Sequence, residues 1–402
     1  MNILFLSLED FTSIGAHNLY TDVLRTFVNN GHDVYSVSPV EKRQGEATHV
    51  IDEDHSRILR LKIGNMQKTN LIEKGISTLT IQNIVIKGIK QYFDGVKFDL
   101  VLYATPPITF CKVIKYIKDR DGAKTYLMLK DIFPQNAVDL GMFSKSSLFY
   151  KYFRNKEKQL YALSDHIGCM SPANVDYLLA NDPEIAPSTV SVCPNVIEPR
   201  DMSADSASRE EIRRKYDIPL DRKVFVYGGN LGRPQGIPFL IECMKASADI
   251  EGAFFLVVGS GTEYETLEHY AETADKSSFR LMKGLPKDDY DRMIGSCDAG
   301  MIFLDHKFTI PNFPSRLLSY MQAKLPVIAC TDPNTDIGKV IEQGGFGKWC
   351  ESNDASAFRR VIEEMMASDM PSLGKTGFEY LNENYTAEIE YKIIMADLGL
   401  QA

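Results

Sequence analysis

The sequence predicts an α/β protein made of two halves, each with a parallel sheet. Short apolar runs typical of buried strands alternate with helical stretches from the first residues onward. The alternation is interrupted once, over the polar, proline-containing residues 194–222, and starts again at Lys223. With 402 residues, 44% of them hydrophobic, the chain is long enough for two domains with full cores. We therefore expect two Rossmann-like domains that face a central cleft.

The first half contains six predicted strands. An apolar run at residues 2–7 leads through a loop with Gly15 into a helix at 16–29, after which the second strand begins. Pro172 stands where a later helix would start, because proline is accepted in the first helical turn. The six strands are predicted at 2–7, 33–38, 100–104, 125–129, 166–170 and 190–193.

The second half repeats the pattern, with helices between its strands. The end of the chain, at 355–370 and 377–398, is predicted to be helical. These signals divide the chain into a first domain at 1–196, a second domain at 197–375, and a C-terminal helix at 376–402 that packs back toward the first domain. The strands of the second half are predicted at 224–227, 254–258, 280–283, 299–303 and 327–329.

The composition restricts the class of protein. No apolar run approaches the ~20 residues that a membrane-spanning helix needs. The first ten residues have no basic leader and no small-residue cleavage site, so they are interpreted as a strand. The seven cysteines are scattered, odd in number and without a Cys-x-x-Cys pair, which argues for a reducing compartment and against disulfides or structural zinc. We expect a cytoplasmic protein whose cysteines are mostly core residues.

Charge is distributed unevenly along the chain. The formal net charge is −9, yet residues 57–158 hold 19 Lys and Arg against 8 Asp and Glu. A basic region of this kind attracts anionic lipid, nucleic acid or a phosphorylated ligand, and the acidity of the whole chain argues against nucleic acid. Within it, residues 71–93 and 142–156 interleave apolar side chains with cations, which suits a membrane interface. A core helix with a solvated basic edge is an equally good interpretation.

Two glycine-rich loops follow predicted strand ends in the second half. One spans residues 228–236 and contains Arg233, and the other is the Gly-Ser-Gly sequence at 259–261. Glycines let a backbone approach a ligand closely, and open α/β sheets bind ligands at these strand ends. Neither loop is a P-loop, because no Gly-Lys-Ser/Thr sequence closes it. The first strand–helix loop offers only Gly15, so a dinucleotide fingerprint is absent there. A flexible turn is the alternative for either loop taken alone.

A helix is predicted to begin at Pro314 and Ser315, because proline fits the first turn and serine can cap it. Arg316 is unusual at this place, since a cation in the first turn opposes the helix dipole unless an anion is bound. A bound phosphate would reconcile the two, and a solvated arginine is the alternative. Together with the two glycine loops, this helix start favours a nucleotide-phosphate site in the second half.

These motifs carry a resemblance to a known family. The chain resembles the family 4 glycosyltransferases of the GT-B fold, which has two Rossmann-like domains. It is similar in particular to a bacterial branch that builds surface polysaccharides, including the fucosamine transferases of O-antigen assembly. The matching segments are 229–236, 258–261, 284–286 and 314–320 in the second half, and Asp-Ile-Phe-Pro-Gln-Asn-Ala at 131–137 in the first.

The resemblance implies a retaining, metal-independent glycosyltransferase without a cofactor. It would move a hexosyl or N-acetylhexosaminyl group from a UDP-linked sugar to a polyprenyl-linked saccharide, in capsule, exopolysaccharide or O-antigen synthesis at the cytoplasmic face of the inner membrane. Its catalytic residues would be Asp131, Arg233 and Arg316, with Asp131 orienting or deprotonating the acceptor hydroxyl. The implied donor-binding set is Gly229, Asn230, Arg233, Gly259, Gly261, Gly284, Leu285, Pro314, Ser315, Arg316 and Ser319, and the acceptor-binding set is Gly15, His17, Asp131 and Phe133.

The chain also departs from the family pattern. Two glutamates that the family places eight positions apart fall on Pro311 and Ser319, and the Arg and Lys of its glycine loop fall on Asn230 and Gln235. These departures leave the donor sugar open and keep two alternatives: a nucleotide-sugar epimerase on the same fold, and a non-catalytic partner subunit. An Asp-x-Asp sequence, the metal signature of the other glycosyltransferase fold, occurs at 119–121, where it is interpreted as a turn.

Overall fold

The computed structural model of the chain describes residues 1–66 and 71–401, and the side chains of residues 71–76 and of Leu79 are likewise outside the description. The chain forms two compact units. Unit 1 comprises Met1–Glu198 and Ala387–Ala402, and unit 2 comprises Pro199–Thr386. The chain therefore leaves unit 1 once and returns to it for its last helix.

Unit 1 is built on an eight-stranded sheet in the order β3-β4-β2-β1-β5-β6-β7-β8. Every neighbouring pair is parallel except β3 and β4. The strands are β1 Asn2–Leu6, β2 Asp33–Glu41, β3 His49–Glu53, β4 Ser56–Ile63, β5 Leu100–Ala104, β6 Lys124–Leu129, β7 His166–Cys169 and β8 Val190–Val192. The helices are α1 Thr21–Asn29, α2 Leu71–Tyr92, α3 Cys111–Asp121, α4 Gln135–Asp139, α5 Leu148–Leu163, α6 Pro172–Asn181 and α15 Ala387–Asp397.

The central strands of unit 1 are buried because they are continuous apolar runs, the pattern of parallel strands covered on both faces. The register sets Leu4 of β1 between Tyr35 of β2 and Val101 of β5. The antiparallel pair β3–β4 is not among the predicted strands, because β3 is short and partly exposed. A turn at His55, whose φ is +53°, joins it to β4. All seven cysteines of the chain are buried free thiols, which confirms their expected place in the core.

The last helix, α15, completes the core of unit 1. The ring of Tyr391 packs edge-on against Phe27 of α1, with 4.9 Å between centroids, and its hydroxyl forms a hydrogen bond with His32. The neighbouring Glu390 forms an ion pair of 3.1 Å with Lys130, and both side chains are buried. Unit 1 therefore depends on a segment that is separated from its main part by the 188 residues of unit 2.

Unit 2 contains a six-stranded parallel sheet in the order β11-β10-β9-β12-β13-β14. Residues 377–398 are mostly helical, as predicted, but the single helix expected there is wrong, because the chain forms two: α14, Met370–Asn384, in unit 2 and α15 in unit 1. The strands are β9 Lys223–Asn230, β10 Ala253–Ser260, β11 Phe279–Lys283, β12 Ala299–Phe303, β13 Val327–Thr331 and β14 Gly347–Glu351. The other helices are α7 Ser206–Lys215, α8 Ile237–Ser247, α9 Tyr264–Thr273, α10 Lys287–Gly295, α11 Arg316–Gln322, α12 Ile337–Gln343 and α13 Ala355–Met366.

The described side chains of α2 distinguish the two interpretations of residues 71–93, a membrane-facing segment and a core helix with a solvated basic edge. Ile81 and Ile89 are fully buried, whereas Lys87 is exposed. This part of α2 is therefore a core helix with a solvated basic edge. The predicted membrane-facing residues Lys74, Ile76 and Leu79 lie outside the described side chains. Over the described part of the chain, no helix has both the length and the apolar composition that crossing a bilayer requires.

Candidate active site

The glycine-rich loops of unit 2 lie at the carboxyl ends of β9 and β10. These strands are parallel neighbours, and their register sets Gly259 beside Gly229. Gly229 has a φ of +120°, and a methyl group on Gly259 would lie 2.0 Å from the Gly229 carbonyl oxygen. Only glycine lets the two backbones pass this closely. Gly261 follows β10 and Gly284 follows β11, so the four predicted glycines meet at one edge of the sheet.

Arg316 begins α11 and reaches the same edge. Its guanidinium carbon lies 4.3 Å from the centroid of the Tyr227 ring, and its Nη2 would lie 3.1 Å from a methyl group on Gly229. Its Nη1 is buried and has no hydrogen-bond partner among the described residues. A buried donor without a partner costs about 1–3 kcal/mol, and more when it is charged. An anion placed against Nη1 would remove this cost, and a guanidinium suits phosphate in particular.

Three tyrosines that the sequence alone does not single out surround this guanidinium. The Tyr320 hydroxyl donates to the Met301 carbonyl oxygen at 3.0 Å and accepts from the Gly228 N–H at 3.2 Å. Tyr290 of α10 packs on Gly228, where a methyl group would lie 2.0 Å from its hydroxyl. Burial raises the pKa of Tyr320 to about 12, so its hydroxyl stays neutral. Together with Tyr227, these rings hold one cation in neutral aromatic surroundings.

Arg233 lies in the short turn after β9 and is oriented differently. Its side chain is 66% exposed, and the nearest carboxylate, that of Glu263, is 3.8 Å away. The guanidinium of Arg233 is therefore free to move onto a ligand. Asn230 and Gln235, at the positions where the family that the chain resembles carries Arg and Lys, bind each other: Asn230 Nδ2 donates to Gln235 Oε1 at 3.1 Å. They shape the turn without contributing charge.

The start of α11 differs from the expectation in one respect. Ser315 has helical dihedral angles, φ −64° and ψ −16°, and its side chain makes no capping hydrogen bond, so its predicted role as a cap is wrong. Pro314 immediately precedes it, and its carbonyl oxygen accepts from the Leu317 N–H at 3.2 Å. Ser319 is half-buried on α11, and Leu285 is half-buried after Gly284. The predicted donor contacts of these residues stay predictions.

Asp131 follows β6, at the carboxyl edge of the sheet of unit 1. Asn136 Nδ2 donates to both of its carboxylate oxygens, at 2.8 and 2.9 Å. Thr105 Oγ1 binds the backbone of Asp131 twice: it accepts from the Asp131 N–H at 3.1 Å and donates to the Asp131 carbonyl oxygen at 3.0 Å. Burial raises the pKa of Asp131 to about 6, partly offset by the Asn136 amide. A fixed carboxylate with a raised pKa is suited to accept a proton from a hydroxyl.

Gly15 and His17 lie in the loop between β1 and α1, at the same edge of this sheet, where β5 separates β1 from β6. His17 Nδ1 lies 3.2 Å from a carboxylate oxygen of Asp22. Of the described residues, His17, Asp22 and Glu198 form the one group with the geometry to hold a metal ion. The Arg25 guanidinium binds Asp22 at 2.5 Å and Glu198 at 2.6 Å. Because the Arg25 guanidinium already occupies a position between the two carboxylates and pairs with both, we infer no metal site here.

Phe133 lines a cavity of about 710 Å³ in unit 1. The cavity lies where β1, β2, β4 and β5 end, and most of its described lining is apolar. Phe133 contacts Phe153 of α5, with 5.0 Å between ring centroids. The volume of the cavity is within the ~300–1,000 Å³ range of ligand pockets. The sequence gives no sign of this cavity, because its described walls come from seven separate segments.

The Asp-x-Asp sequence at 119–121 is part of the last turn of α3, so its interpretation as a separate turn is wrong. Asp119 pairs with Lys115 at 2.8 Å. Asp121 pairs with Arg120 at 2.6 Å and accepts from the Phe98 N–H at 3.0 Å. Both carboxylates serve the local structure of α3.

Comparison with known proteins relates the chain to one enzyme family. Residues 208–376, within unit 2, match the family model described as glycosyl transferases group 1. Over 333 residues the chain is 25% identical to the probable glycosyltransferase WbjE of Pseudomonas aeruginosa, covering 82% of this chain and 80% of WbjE. It is 23% identical over 256 residues to WcaI of Escherichia coli K12, a putative colanic acid biosynthesis glycosyl transferase, covering 61% of this chain and 60% of WcaI.

The solved structures share the architecture at low sequence identity. Anabaena HepE in complex with UDP-glucose superimposes with a TM-score of 0.72 at 12% identity, over 99% of each chain. The fold of two parallel-sheet α/β units is that of the GT-B glycosyltransferases, which confirms the predicted fold class.

Proposed function

We propose, on the premise that the chain is a group 1 glycosyltransferase, that it transfers a sugar from a UDP-linked donor to a lipid-linked saccharide, with retention of configuration, during assembly of a surface polysaccharide. The observation that carries the proposal is the guanidinium of Arg316, whose buried Nη1 lacks a described partner at the edge where the glycine loops meet. The match to WcaI, named for colanic acid biosynthesis, supports the polysaccharide, and the HepE complex supports UDP.

The leaving group of this reaction is a nucleoside diphosphate. The bond between the anomeric carbon and the phosphate oxygen breaks, positive charge develops on the sugar ring, and negative charge collects on the diphosphate. Arg316 would meet that charge without rearrangement, because Tyr227 already fixes its guanidinium. Arg233 would join from the exposed turn and add a second cation. Donors fixed before the reaction stabilise the transition state more than donors that must reorganise.

The remaining donor contacts would come from backbone. Gly229, Gly259 and Gly261 let the backbone segments at this edge pack closely, and Gly284 leaves open space beside them. A nucleotide would contact the backbone of these four glycines. The nucleoside pocket would be completed by the other members of the predicted set, namely Asn230, Leu285, Pro314, Ser315 and Ser319.

The acceptor side is assigned to unit 1. Asp131, held by Asn136, would orient the acceptor hydroxyl and take its proton as the new glycosidic bond forms. Gly15, His17 and Phe133 would contact the acceptor around it. The acceptor attacks from the face that the diphosphate leaves, so no protein nucleophile is required. We place the protein at the cytoplasmic face of the membrane, where a polyprenyl-linked acceptor would be presented.

Thermal-shift measurement of the full chain against a panel of nucleotide sugars tests this function. A ligand that binds the folded state raises the melting temperature, so we expect one UDP-sugar to stabilise the protein more than UDP or uridine does. Conversion of that donor into another nucleotide sugar without an acceptor would favour an epimerase. No stabilisation by any nucleotide would favour a non-catalytic subunit, the alternative that Pro311 and Ser319 motivate.

A further inference from the structure

The exposed apolar side chains of unit 1 are concentrated at one place. Of the six large hydrophobic residues that are exposed among the described ones, four lie between residues 142 and 152. Leu148 and Phe149, in the first turn of α5, are 82% and 70% exposed. We name this surface the 142–152 patch; its apolar members are Met142, Leu148, Phe149 and Tyr152. Four large exposed apolar side chains within eleven residues of the chain are typical of a binding surface.

The charges around the 142–152 patch are positive and available. Lys145 and Lys151 are exposed, and neither forms an ion pair with a described residue. The segment from 140 to 156 contains no Asp or Glu. The sequence pattern includes Arg154 among the cations that would face a membrane. In the structure, Arg154 is instead paired with Glu157 at 2.5 Å and with Asp182 at 2.6 Å. The available cations therefore lie beside Leu148 and Phe149.

Aromatic rings connect this patch to the cavity of unit 1. Phe133 and Phe153 are part of the cavity wall. The Phe133 ring contacts Phe143 at 6.3 Å, and the Phe153 ring contacts Tyr152 at 5.2 Å, both edge-on. Phe143, Phe133, Phe153 and Tyr152 thus form an unbroken row from the exposed surface to the cavity.

The lining of the cavity favours an apolar occupant. Nine of its fifteen described lining residues are apolar. The charges on its polar side are already paired: Arg43 with Glu41 at 2.8 Å, and Asp10 with Arg60 at 2.5 Å. A saccharide would need unpaired donors and acceptors over most of its surface, whereas a hydrocarbon chain needs only apolar walls.

We propose that the 142–152 patch docks on an anionic lipid bilayer and that the cavity takes the isoprenoid segment of the acceptor next to its phosphate. The inference rests on the proposed function for the acceptor's chemistry, and on the aromatic row for its path. The bilayer supplies the apolar surface that Leu148 and Phe149 lack, and its negative headgroups match Lys145 and Lys151. The isoprenoid then leaves the bilayer along the aromatic row.

Vesicle co-sedimentation of the full chain tests the docking. Wild-type protein should bind vesicles of phosphatidylcholine with phosphatidylglycerol, bind pure phosphatidylcholine less, and release at high salt. Leu148→Ser with Phe149→Ser should abolish binding, and Lys145→Gln with Lys151→Gln should lower the partition coefficient on the order of 10-fold or more. Leu220→Ser, at another exposed leucine, and Lys375→Gln should change nothing. Unchanged vesicle binding in the patch variants would overturn the proposal. So would a wild-type protein that is a dimer and becomes a monomer in these variants, because the patch would then be a dimer interface.

Calorimetric titration with farnesyl phosphate tests the cavity. Wild-type protein should bind this probe, Leu8→Trp should weaken binding at least several-fold by filling the cavity, and the patch variants should bind it normally because their cavity is intact. Leu220→Trp is the matched control. UDP binding is measured in every variant and should stay unchanged. If the wild-type protein does not bind UDP at all, that result counts against the proposed function and not against this inference. Equal affinity of Leu8→Trp and wild type for farnesyl phosphate would contradict it.

Discussion

At the scale of single residues, Arg316 and Asp131 carry the chemistry that we propose for the two units. Arg316 is a cation without a complete set of partners, surrounded by neutral tyrosine rings. Asp131 is a carboxylate fixed by an amide, with a pKa raised to about 6 by burial. A partly satisfied buried cation favours an anionic ligand, and a raised carboxyl pKa favours proton transfer near neutral pH.

Replacing Arg316 should weaken diphosphate binding and spare the nucleoside. Arg316→Met keeps an apolar stem on Tyr227 and removes the charge. Charge-assisted hydrogen bonds contribute about 1.5–3 kcal/mol each, so UDP affinity should fall ~10- to 100-fold. Uridine affinity should stay unchanged. Calorimetry with both ligands measures this, with the exposed Arg360→Met as a control; unaltered UDP affinity in Arg316→Met would remove Arg316 from the site. Arg233→Ala should act in the same direction.

Activity and stability should depend on the ionisation of Asp131 in opposite ways. The proton-accepting form exists above a pH of about 6, so transfer should rise with pH through that value. Because the folded-state pKa is raised above the unfolded one, Asp131 stabilises the fold fully only below its unfolded pKa, and this contribution is lost as pH rises through about 6. Asp131→Asn should lower transfer by on the order of 10²–10⁴-fold and flatten both pH profiles.

The comparison variant for this prediction is Asn136→Ala, which removes the amide and keeps the carboxylate. It should raise the pH midpoint of activity, because an amide that donates to the carboxylate lowers its pKa. Parallel melting curves separate a chemical role from a structural one. If Asp131→Asn loses stability and activity in equal measure at every pH, Asp131 only supports the local fold.

The sequence predicts Arg316 from its position at a helix start, and the family resemblance predicts Asp131, but neither identifies the residues around them. Arg316 is conspicuous because a cation at a helix start opposes the dipole. Tyr290 and Asn136 carry no such local signal. Tyr290 meets Gly228 across 62 positions of the chain, and that meeting depends on how α10 packs on β9. Side chains whose role arises only from packing between distant elements cannot be read from local patterns.

At the scale of elements, the edge formed by β9, β10 and β11 sets how close a ligand can come. Gly259 and Gly284 both belong to this edge, yet their surroundings differ. A methyl group on Gly259 would lie 2.0 Å from backbone oxygen, whereas one on Gly284 would meet nothing closer than 3.7 Å. The two glycines therefore provide a matched pair of substitutions.

Gly259→Ala should destabilise the fold, whereas Gly284→Ala should not. Overpacking against backbone costs about 1–3 kcal/mol, because β9 and β10 must move apart. The change at Gly284 should stay within about 0.5 kcal/mol, as for most surface substitutions. Urea unfolding of both variants measures the difference, and equal midpoints would show that the strands do not pack as closely as the structure has them.

The elements that the sequence predicted well are those with both faces covered. Strands such as β5 and β12 are continuous apolar runs and fall at their predicted positions. β14 was missed because its sequence, Gly-Lys-Trp-Cys-Glu, mixes polar and apolar residues at the edge of the sheet. α14 and α15 were merged, since Tyr385 and Thr386 between them carry no Gly or Pro break signal.

At the scale of the whole molecule, unit 1 is closed by the end of the chain. α15 supplies Glu390 as the partner of the buried Lys130, so their ion pair joins segments 260 residues apart. Removing one member of a buried pair leaves the other charge uncompensated. The ends of the chain therefore affect the stability of the unit that carries Asp131.

Glu390→Leu should destabilise unit 1 strongly. The expected loss is about 3–5 kcal/mol, because Lys130 would remain buried without its carboxylate. Glu388→Leu, at an exposed position of the same helix, should change stability by at most about 0.5 kcal/mol. Thermal unfolding of the two variants decides the point. Equal melting temperatures would mean that Lys130 reaches solvent and that its ion pair with Glu390 does not stabilise unit 1.

The most direct measurement is transfer of a radiolabelled sugar from a panel of UDP-sugars to isoprenoid-linked saccharide acceptors, with and without EDTA. We predict that label from one UDP-sugar enters the solvent-extractable lipid fraction, that EDTA does not reduce the rate, and that the product keeps the anomeric configuration of the donor. Arg316→Met should abolish the signal. Release of label only as a different nucleotide sugar, or no transfer of label from any donor in the panel, would contradict the proposed function.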